Sequence, residues 1–445
     1  MTNPATKIPG TTGQAFSQLL QRRSHDTEAW RTIRHRAFAR FNELGWPTTS
    51  DEAWRFTNPK VLAKTSFALP GEAASALDEG WIASFFLGEN APRLVFVDGQ
   101  YRQALSHTSS LANGIEITSL ADLLLEDPDS LAPYFQNHRH QAAQFGNLNT
   151  AFMESGAVIR INANLKLETP IQVLHICTRF EHPTMVHPRL MVFAGTNSQA
   201  SLVETFISRD ETFHWTNNVT QVYLDQGARF EHYLAQFNGQ SAYHVANLNA
   251  HLERDSQLRC IHLMTGAAFM RNNLTIHLLG QGADCTVDGL TLGHGDQVLD
   301  THVEMNHTVP HCTSTQNFKT ILDDKAHGIF GGRVIVYQEA QKTDAKQSNH
   351  NLLLSDDARI DTKPQLEIYA DDVKCAHGAT TGQLNEDALF YLATRGLDPK
   401  SAREVLLYAF AHEVLDRIGV PALLQQAEQV LLSRFSQRHL FGASP

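Results

Sequence analysis

What most constrains the fold of this chain is a run of roughly 220 residues, from about Gly156 onward. In it, strand-like segments follow one another with almost no helical pattern between them. The segments include Val158–Ile161, Ile171–Ile176, Leu190–Phe193, Val219–Tyr223, Leu274–Leu278, Val334–Tyr337 and Leu366–Tyr369. Short polar turns separate them, each reopening a strand on a small or apolar residue. Examples are Ser198-Gln-Ala200, Gln226-Gly-Ala228, Ser256-Gln-Leu258, Gln281-Gly-Ala283, Asp324-Lys-Ala326 and Asp356-Asp-Ala358. Their last residues are 28, 30, 25, 43 and 32 apart, an imprecise period in the range of solenoids. The scarcity of helices argues against a βαβ sheet. A sandwich usually closes within about 100–150 residues, whereas a solenoid grows by adding turns. The pattern therefore predicts a parallel β-helix, with a β-sandwich as the alternative.

Helical patterns flank this run. From Asp26, read as an N-cap, Trp30, Ile33, Ala37, Phe41 and Leu44 recur at helical spacing, and Gly45 and Pro47 end the helix. Leu94–Val97, an Asp98-Gly99 turn and a run from Tyr101 predict a small hairpin. Leu120–Leu125 and Leu148–Met153 read as short helices. After Leu384, Asp398 caps and Pro399 opens a helix over Ser401–Ile418. A second helix from Pro421 carries the stripe Leu424, Ala427, Leu431 and Phe435. The segment Val405–Ala411 is apolar all round, so it is either buried in its own domain or docked on another chain. The expected partition is a helical or mixed unit over 1–155, the β-helix over 156–384 and a helical unit over 385–445.

Composition narrows the function. With 47 acidic against 36 basic residues the chain carries −11, which excludes a broad cationic surface for sequence-independent nucleic-acid binding. Five scattered cysteines without a CxxC pair fit a reducing cytosol. The N-terminus shows no apolar signal region, and no apolar run approaches the ~18–20 residues of a membrane span. A soluble, cytoplasmic protein is expected. There is no G-x-x-x-x-G-K-[ST] loop, so no nucleotide should be bound or hydrolysed by this chain alone. Neither a G-x-S-x-G elbow nor an H-E-x-x-H helix is present.

Two clusters could hold a metal. His302, His307, His311 and Cys312 have suitable donors, but Pro310 breaks the run and the spacings match no standard site. In Asp371-Asp-Val-Lys-Cys-Ala-His-Gly378, an extended backbone puts Cys375 and His377 on one face with Cβ atoms ~7 Å apart. A thiolate with an imidazole suits zinc, iron or an iron–sulfur centre. Two ligands leave such an ion incomplete, so others must come from elsewhere in the fold or from a second chain.

The stretch Asp371–Gln383 closely resembles the signature of the SufD subunits of the SUF iron–sulfur cluster assembly machinery, in the SufB/SufD family. Ala340–Gln347, Asn351–Ser355, Pro364–Tyr369 and Tyr391–Gly396 agree with it, as does Glu52-Ala-Trp-Arg-Phe-Thr57 near the N-terminus. The resemblance is dense over 300–418. SufB, the related subunit, often carries an N-terminal cysteine motif in bacteria, and no cysteine precedes Cys177 here.

The resemblance implies a right-handed parallel β-helix flanked by helical N- and C-terminal domains, serving as a non-catalytic scaffold. It implies pairing with a SufB-like subunit through the β-helices, with a homodimer as the alternative when the chain is alone. A SufC-like ATPase would dock on the C-terminal helices, with Val405, Leu406, Ala409 and Phe410 as candidate contacts. His377 first, and Cys375 second, would help acquire iron or complete a transient iron–sulfur cluster shared with SufB. Two other classes compete. One is a β-helix enzyme acting on polysaccharide, using Asp323-Asp324, Asp356-Asp357 or Asp371-Asp372, although Asp pairs are also favoured at turns. The other is a self-sufficient metal-binding protein.

Overall fold

Two ten-stranded sheets run the length of the molecule, and the chain passes alternately from one to the other. The computed structural model describes residues 10–71, 77–136, 144–178, 180–209 and 213–436. One sheet contains Gln199–Ser208, Arg229–Phe237, Gln257–Met264, Asp284–Gly293, Thr313–Leu322, Asp344–Leu353 and Lys374–Gly382. We refer to it as the first sheet. The second contains His214–Leu224, Tyr243–Leu252, Phe269–Leu278, Val298–His307, His327–Val336 and Arg359–Ile368. Each of these strands pairs in parallel with the next but one in sequence, as in Gln257↔Asp284 and Phe269↔Val298. This is the expected parallel β-solenoid.

Strands of the first sheet start at 199, 229, 257, 284, 313, 344 and 374, a repeat of 27 to 31 residues. The irregular interval of 43 in the turn spacing has a simple cause. Ala283 precedes a strand of the first sheet and Ala326 one of the second, so the turns sample two sets of corners. Corners take one residue at positive φ, such as Asn197, Gly227, Asp255 and Gly282. At Gly227 (φ +67°) a Cβ would lie 2.3 Å from Oδ1 of Asn197, at the same corner one turn earlier.

Side chains inside the solenoid form one continuous core, in which Leu202, Phe230, Leu258, Cys285, Val287, Phe318 and Phe330 stack from turn to turn. The N-terminal part joins both sheets. Arg93–Val97 pairs in parallel with Ile171–Cys177, and Ile115–Ser119 runs antiparallel to Gly156–Ile161. The predicted hairpin forms between Arg93–Val97 and Gln100–Tyr101, with Asp98 and Gly99 both at positive φ as a primed turn requires. Helices Leu120–Glu126 and Gln144–Phe152 match the two short ones read from the sequence.

The helix Glu28–Leu44 buries Trp30, Ile33, Ala37 and Phe41, but its cap is Thr27 rather than Asp26. The Thr27 side chain accepts the Trp30 amide. Asp26 is buried instead, its carboxylate held by Arg23 at 2.8 Å and by Arg34 at 2.7 Å. A buried guanidinium outcompetes a backbone amide for the carboxylate because the ion pair satisfies both charges.

Three helices, Glu386–Thr394, Pro399–Leu415 and Pro421–Ser436, close the described chain. Asp398 caps the middle one by accepting the Lys400 and Ser401 amides, with Pro399 at its first position. It stops at Leu415 because the amides of Arg417 and Ile418 turn back onto Val414 and Leu415. Leu407, Ala411, Val414 and Leu415 pack on the outer face of the first sheet, against Tyr233, Ile261, Leu263 and Ile321. Ion pairs Lys319–Glu413 and Arg417–Asp288 fix the same contact. Burial in its own fold therefore accounts for one face of this helix. The opposite face leaves Val405 45% exposed and Ala409 exposed, with Leu406 half-buried. Phe410 lies under the Lys319 ammonium, 4.3 Å from the ring centroid. Leu424, Ala427 and Leu431 of the last helix join that packing, while the Phe435 side chain lies outside the described residues.

Candidate functional site

The last turn of the solenoid is an end rather than a cap. Lys374–Gly382 and Arg359–Ile368 terminate their sheets, and each has one strand partner among the described residues. Register aligns Ala345 with Cys375 and Gln347 with His377. Ala345 and Gln347 are buried inside the solenoid, so Cys375 and His377 continue that inward face to its open end. Cys375 is half-buried against the core and His377 is exposed. Burial pushes the Cys375 thiol up; the Ala345 backbone amide eases that push and the nearby Asp344 carboxylate adds to it. It therefore needs a cation to become a thiolate ligand. Two donor side chains thus stand on one strand, beside a sheet edge with no strand partner among the described residues.

The other predicted cluster is not brought together. His302 faces outward and meets Asp300 at 3.0 Å. His307 faces inward, its Nε2 2.8 Å from Ser314 Oγ. His311 occupies an exposed corner at φ 60°, and Cys312 is buried with its Sγ 3.4 Å from the Gly280 carbonyl. The aspartate pairs stand at corners. Asp324 accepts the Gly295 amide at 3.0 Å, Asp372 pairs with Lys342, and Asp356-Asp357 precedes the strand from Arg359. Asp323 and Asp324 thus bond backbone amides at their corner, as turn aspartates do.

The segment Glu52–Thr57 anchors the N-terminal part to the outer face of the second sheet. Trp54 is buried beneath the Arg271 guanidinium (4.2 Å), which also donates to the Ala53 carbonyl at 2.8 Å. Arg271 pairs with Asp300 at 2.5 Å, and Thr57 donates its hydroxyl to the same carboxylate.

One constellation escaped the sequence reading. His232, Cys260 and His262 are fully buried inside the solenoid, and one donor atom from each lies within 4.8 Å of the other two. His262 Nε2 is 3.4 Å from His232 Nδ1, and His232 Nε2 is 3.2 Å from Glu204 Oε2. The Thr220 hydroxyl donates to that same oxygen at 2.8 Å, and His175 Nε2 stands 3.5 Å from the other. Burial opposes ionisation of Glu204, but the hydrogen bonds from His175 and His232 outweigh it and hold the carboxyl below its usual range. Burial likewise pushes His262 down to about 3, leaving a neutral imidazole. A signal for the group was present, because Cys260-Ile-His262 repeats the spacing of Cys375-Ala-His377.

Comparison with known proteins gives a consistent picture. Residues 175–410 match the family model described as SUF system FeS cluster assembly, SufBD core domain, and residues 14–173 match the SufBD protein N-terminal region. The chain is 37% identical over 402 residues to an iron–sulfur cluster assembly SufBD family protein of Synechocystis, covering 88% of each chain. It is 31% identical to the iron–sulfur cluster assembly protein SufD of Escherichia coli over 90% of each. With SufD of Bacillus subtilis the identity is 24%, over 92% of this chain and 94% of the relative.

Proposed function

Because the chain belongs to the SufBD family of iron–sulfur cluster assembly proteins, we propose that it is a scaffold subunit that completes a nascent-cluster site with a SufB-like partner. The carrying observation is the position of Cys375 and His377, on the inward face of a terminal strand whose outer edge has no strand partner among the described residues. An exposed parallel edge is a ready template for another chain's strand. A thiol and an imidazole beside that edge would supply two ligands to iron or a transient cluster, as substrate, while the partner supplies the remainder.

The chain takes no catalytic role in this reading. ATP hydrolysis belongs to a SufC-like subunit docked on the C-terminal helices, where Val405 and Ala409 stay exposed on the face turned away from the sheet. Exposed Phe390 and Tyr391 add apolar area to the same helical region. A cytoplasmic location is part of the same proposal. No described helix is long and apolar enough to cross a membrane.

The test is co-purification. A tagged chain expressed with SufB-like and SufC-like subunits should retain both, and Val405→Asp should release the SufC-like subunit alone. Recovery of the tagged chain without either subunit would overturn the reading.

A further inference from the structure

We propose that His232, Cys260 and His262 form a second metal site, enclosed in the solenoid and binding a borderline divalent cation, zinc or ferrous iron. Three features of the geometry carry this. First, the spacing suits an ion. Two imidazole nitrogens bound tetrahedrally to one ion at ~2.1 Å lie ~3.4 Å apart, and His232 Nδ1 and His262 Nε2 are 3.4 Å apart. Cys260 is the register partner of His232 and shares the inward face with His262, so its thiol flanks the gap.

Second, the surroundings already have the form that supports metal-bound histidines. A ligating imidazole donates its other N–H to a carboxylate or carbonyl, which fixes its tautomer. With Nδ1 as the ligand atom, His232 carries its proton on Nε2, facing Glu204 Oε2 at 3.2 Å. Glu204 is itself fixed by Thr220.

Third, Asn272 supplies the matching partner for His262. Its Nδ2 lies 2.9 Å from His262 Nδ1 and 3.4 Å from Met264 Sδ, while its buried Oδ1 has no hydrogen-bond partner among the described residues. Turning the amide over exchanges the N–H···S contact for acceptance of the His262 Nδ1 proton, and frees Nε2 for the ion. Side-chain amide orientation follows from such networks. Two lone pairs then face each other across the 3.4 Å gap, an arrangement that a cation between them stabilises. Nearby, His244 is fully buried, and neither ring nitrogen has a hydrogen-bond partner among the described residues.

Two imidazoles and one thiolate select zinc or ferrous iron over magnesium or calcium, which take oxygen ligands. Binding is not a redox step. Cys260 gives up its thiol proton to solvent and the ion takes its place.

The experiment uses the full chain without partners, stripped with a chelator and kept anaerobic. Cobalt(II) is added both to the folded chain and during refolding, because the site is enclosed. One ion per chain is expected, with a near-ultraviolet thiolate-to-cobalt charge-transfer band. The band should persist in Cys375→Ser/His377→Ala and vanish in Cys260→Ser, with His262→Asn losing stoichiometric uptake. X-ray absorption on the zinc-loaded Cys375→Ser/His377→Ala chain needs no change in the core and should give one sulfur at ~2.3 Å and two nitrogens at ~2.0–2.1 Å. A band that survives Cys260→Ser, a shell without sulfur, or no uptake by either route would overturn the site. None of these readouts depends on partners, so the result stands apart from the scaffold role.

Discussion

Cys260 and His377 stand in the same inward-facing column of the first sheet, four turns apart. The register runs Cys260↔Val287, Val287↔Gln316, Gln316↔Gln347 and Gln347↔His377. At ~4.8 Å per turn the two lie about 19 Å apart along the axis. The two Cys-x-His pairs thus face the same interior, one deep inside and one at its open end. The difference in burial predicts different consequences for substitution.

His377→Ala should leave the isolated chain folded, with stability changed by no more than about 0.5 kcal/mol, since the side chain is exposed at the end of its sheet. Thermal or urea unfolding checks this. A large loss of stability would mean that any functional effect of the variant reflects misfolding.

The Arg271–Asp300 pair should behave in the opposite way. Both groups are buried, and Arg271→Met removes the permanent cation from a buried carboxylate, leaving it only Thr57 and His302, at a cost of about 3–5 kcal/mol. Urea midpoints at neutral pH would measure it, and a loss below about 1 kcal/mol would contradict the assignment.

Acid should weaken the same pair. Burial disfavours the Asp300 carboxylate, but Arg271 and His302 outweigh it and hold the group down at about 2, against ~3.9 in an unfolded chain. Arg271 stays cationic throughout, so the dependence comes from the carboxylate. A depressed pKa contributes stability that is complete above about pH 4 and is lost as the pH falls toward 2, about 2–3 kcal/mol in all. The gap between wild type and Asp300→Asn should therefore narrow from pH 7 to pH 3. A constant gap would contradict this.

Gly227→Ala should cost about 1–2 kcal/mol, because a Cβ at φ +67° is strained and also meets Asn197 Oδ1. In an Asn197→Gly background the cost should fall but not vanish, since only the steric part is relieved. Equal costs in the two backgrounds would show that the stacked corners do not couple.

The two faces of Pro399–Leu415 should separate stability from assembly. Leu415→Ala opens a cavity against the sheet and should cost about 2–5 kcal/mol. Val405→Asp, on the exposed face, should cost under about 0.5 kcal/mol while removing the SufC-like subunit from pull-downs. Retention of that subunit would place the docking surface elsewhere.

The solenoid was legible because its apolar strands and polar corners recur, but fewer than half of its described strands announced themselves. Asp344–Leu353 reads as a polar stretch, yet Ala345, Gln347, Asn349 and Asn351 all point inward and are buried. Period-two alternation of apolar residues fails where amides line the interior and bond to one another, as Gln347 does with Gln316 at 2.8 Å. The same effect hid His232 and His262, which look like tolerated strand histidines until register stacks them. Cys375 and His377 were legible because their relation is local, two residues on one strand. The inner site needs two strands and their alignment, His232 on one and Cys260 with His262 on the next, which no single stretch of sequence carries. Asp26 was misread for a related reason: its guanidinium partner Arg34 lies a full eight residues on, beyond the reach of a capping pattern.

Reconstitution of the chain with SufB-like and SufC-like subunits tests the central claim most directly, by comparing iron and cluster content between wild type and His377→Ala. Loss of iron and cluster from the mutant complex, with all three subunits still associated, is the predicted result. Undiminished iron and cluster in that complex would contradict the role assigned to the open end of the solenoid.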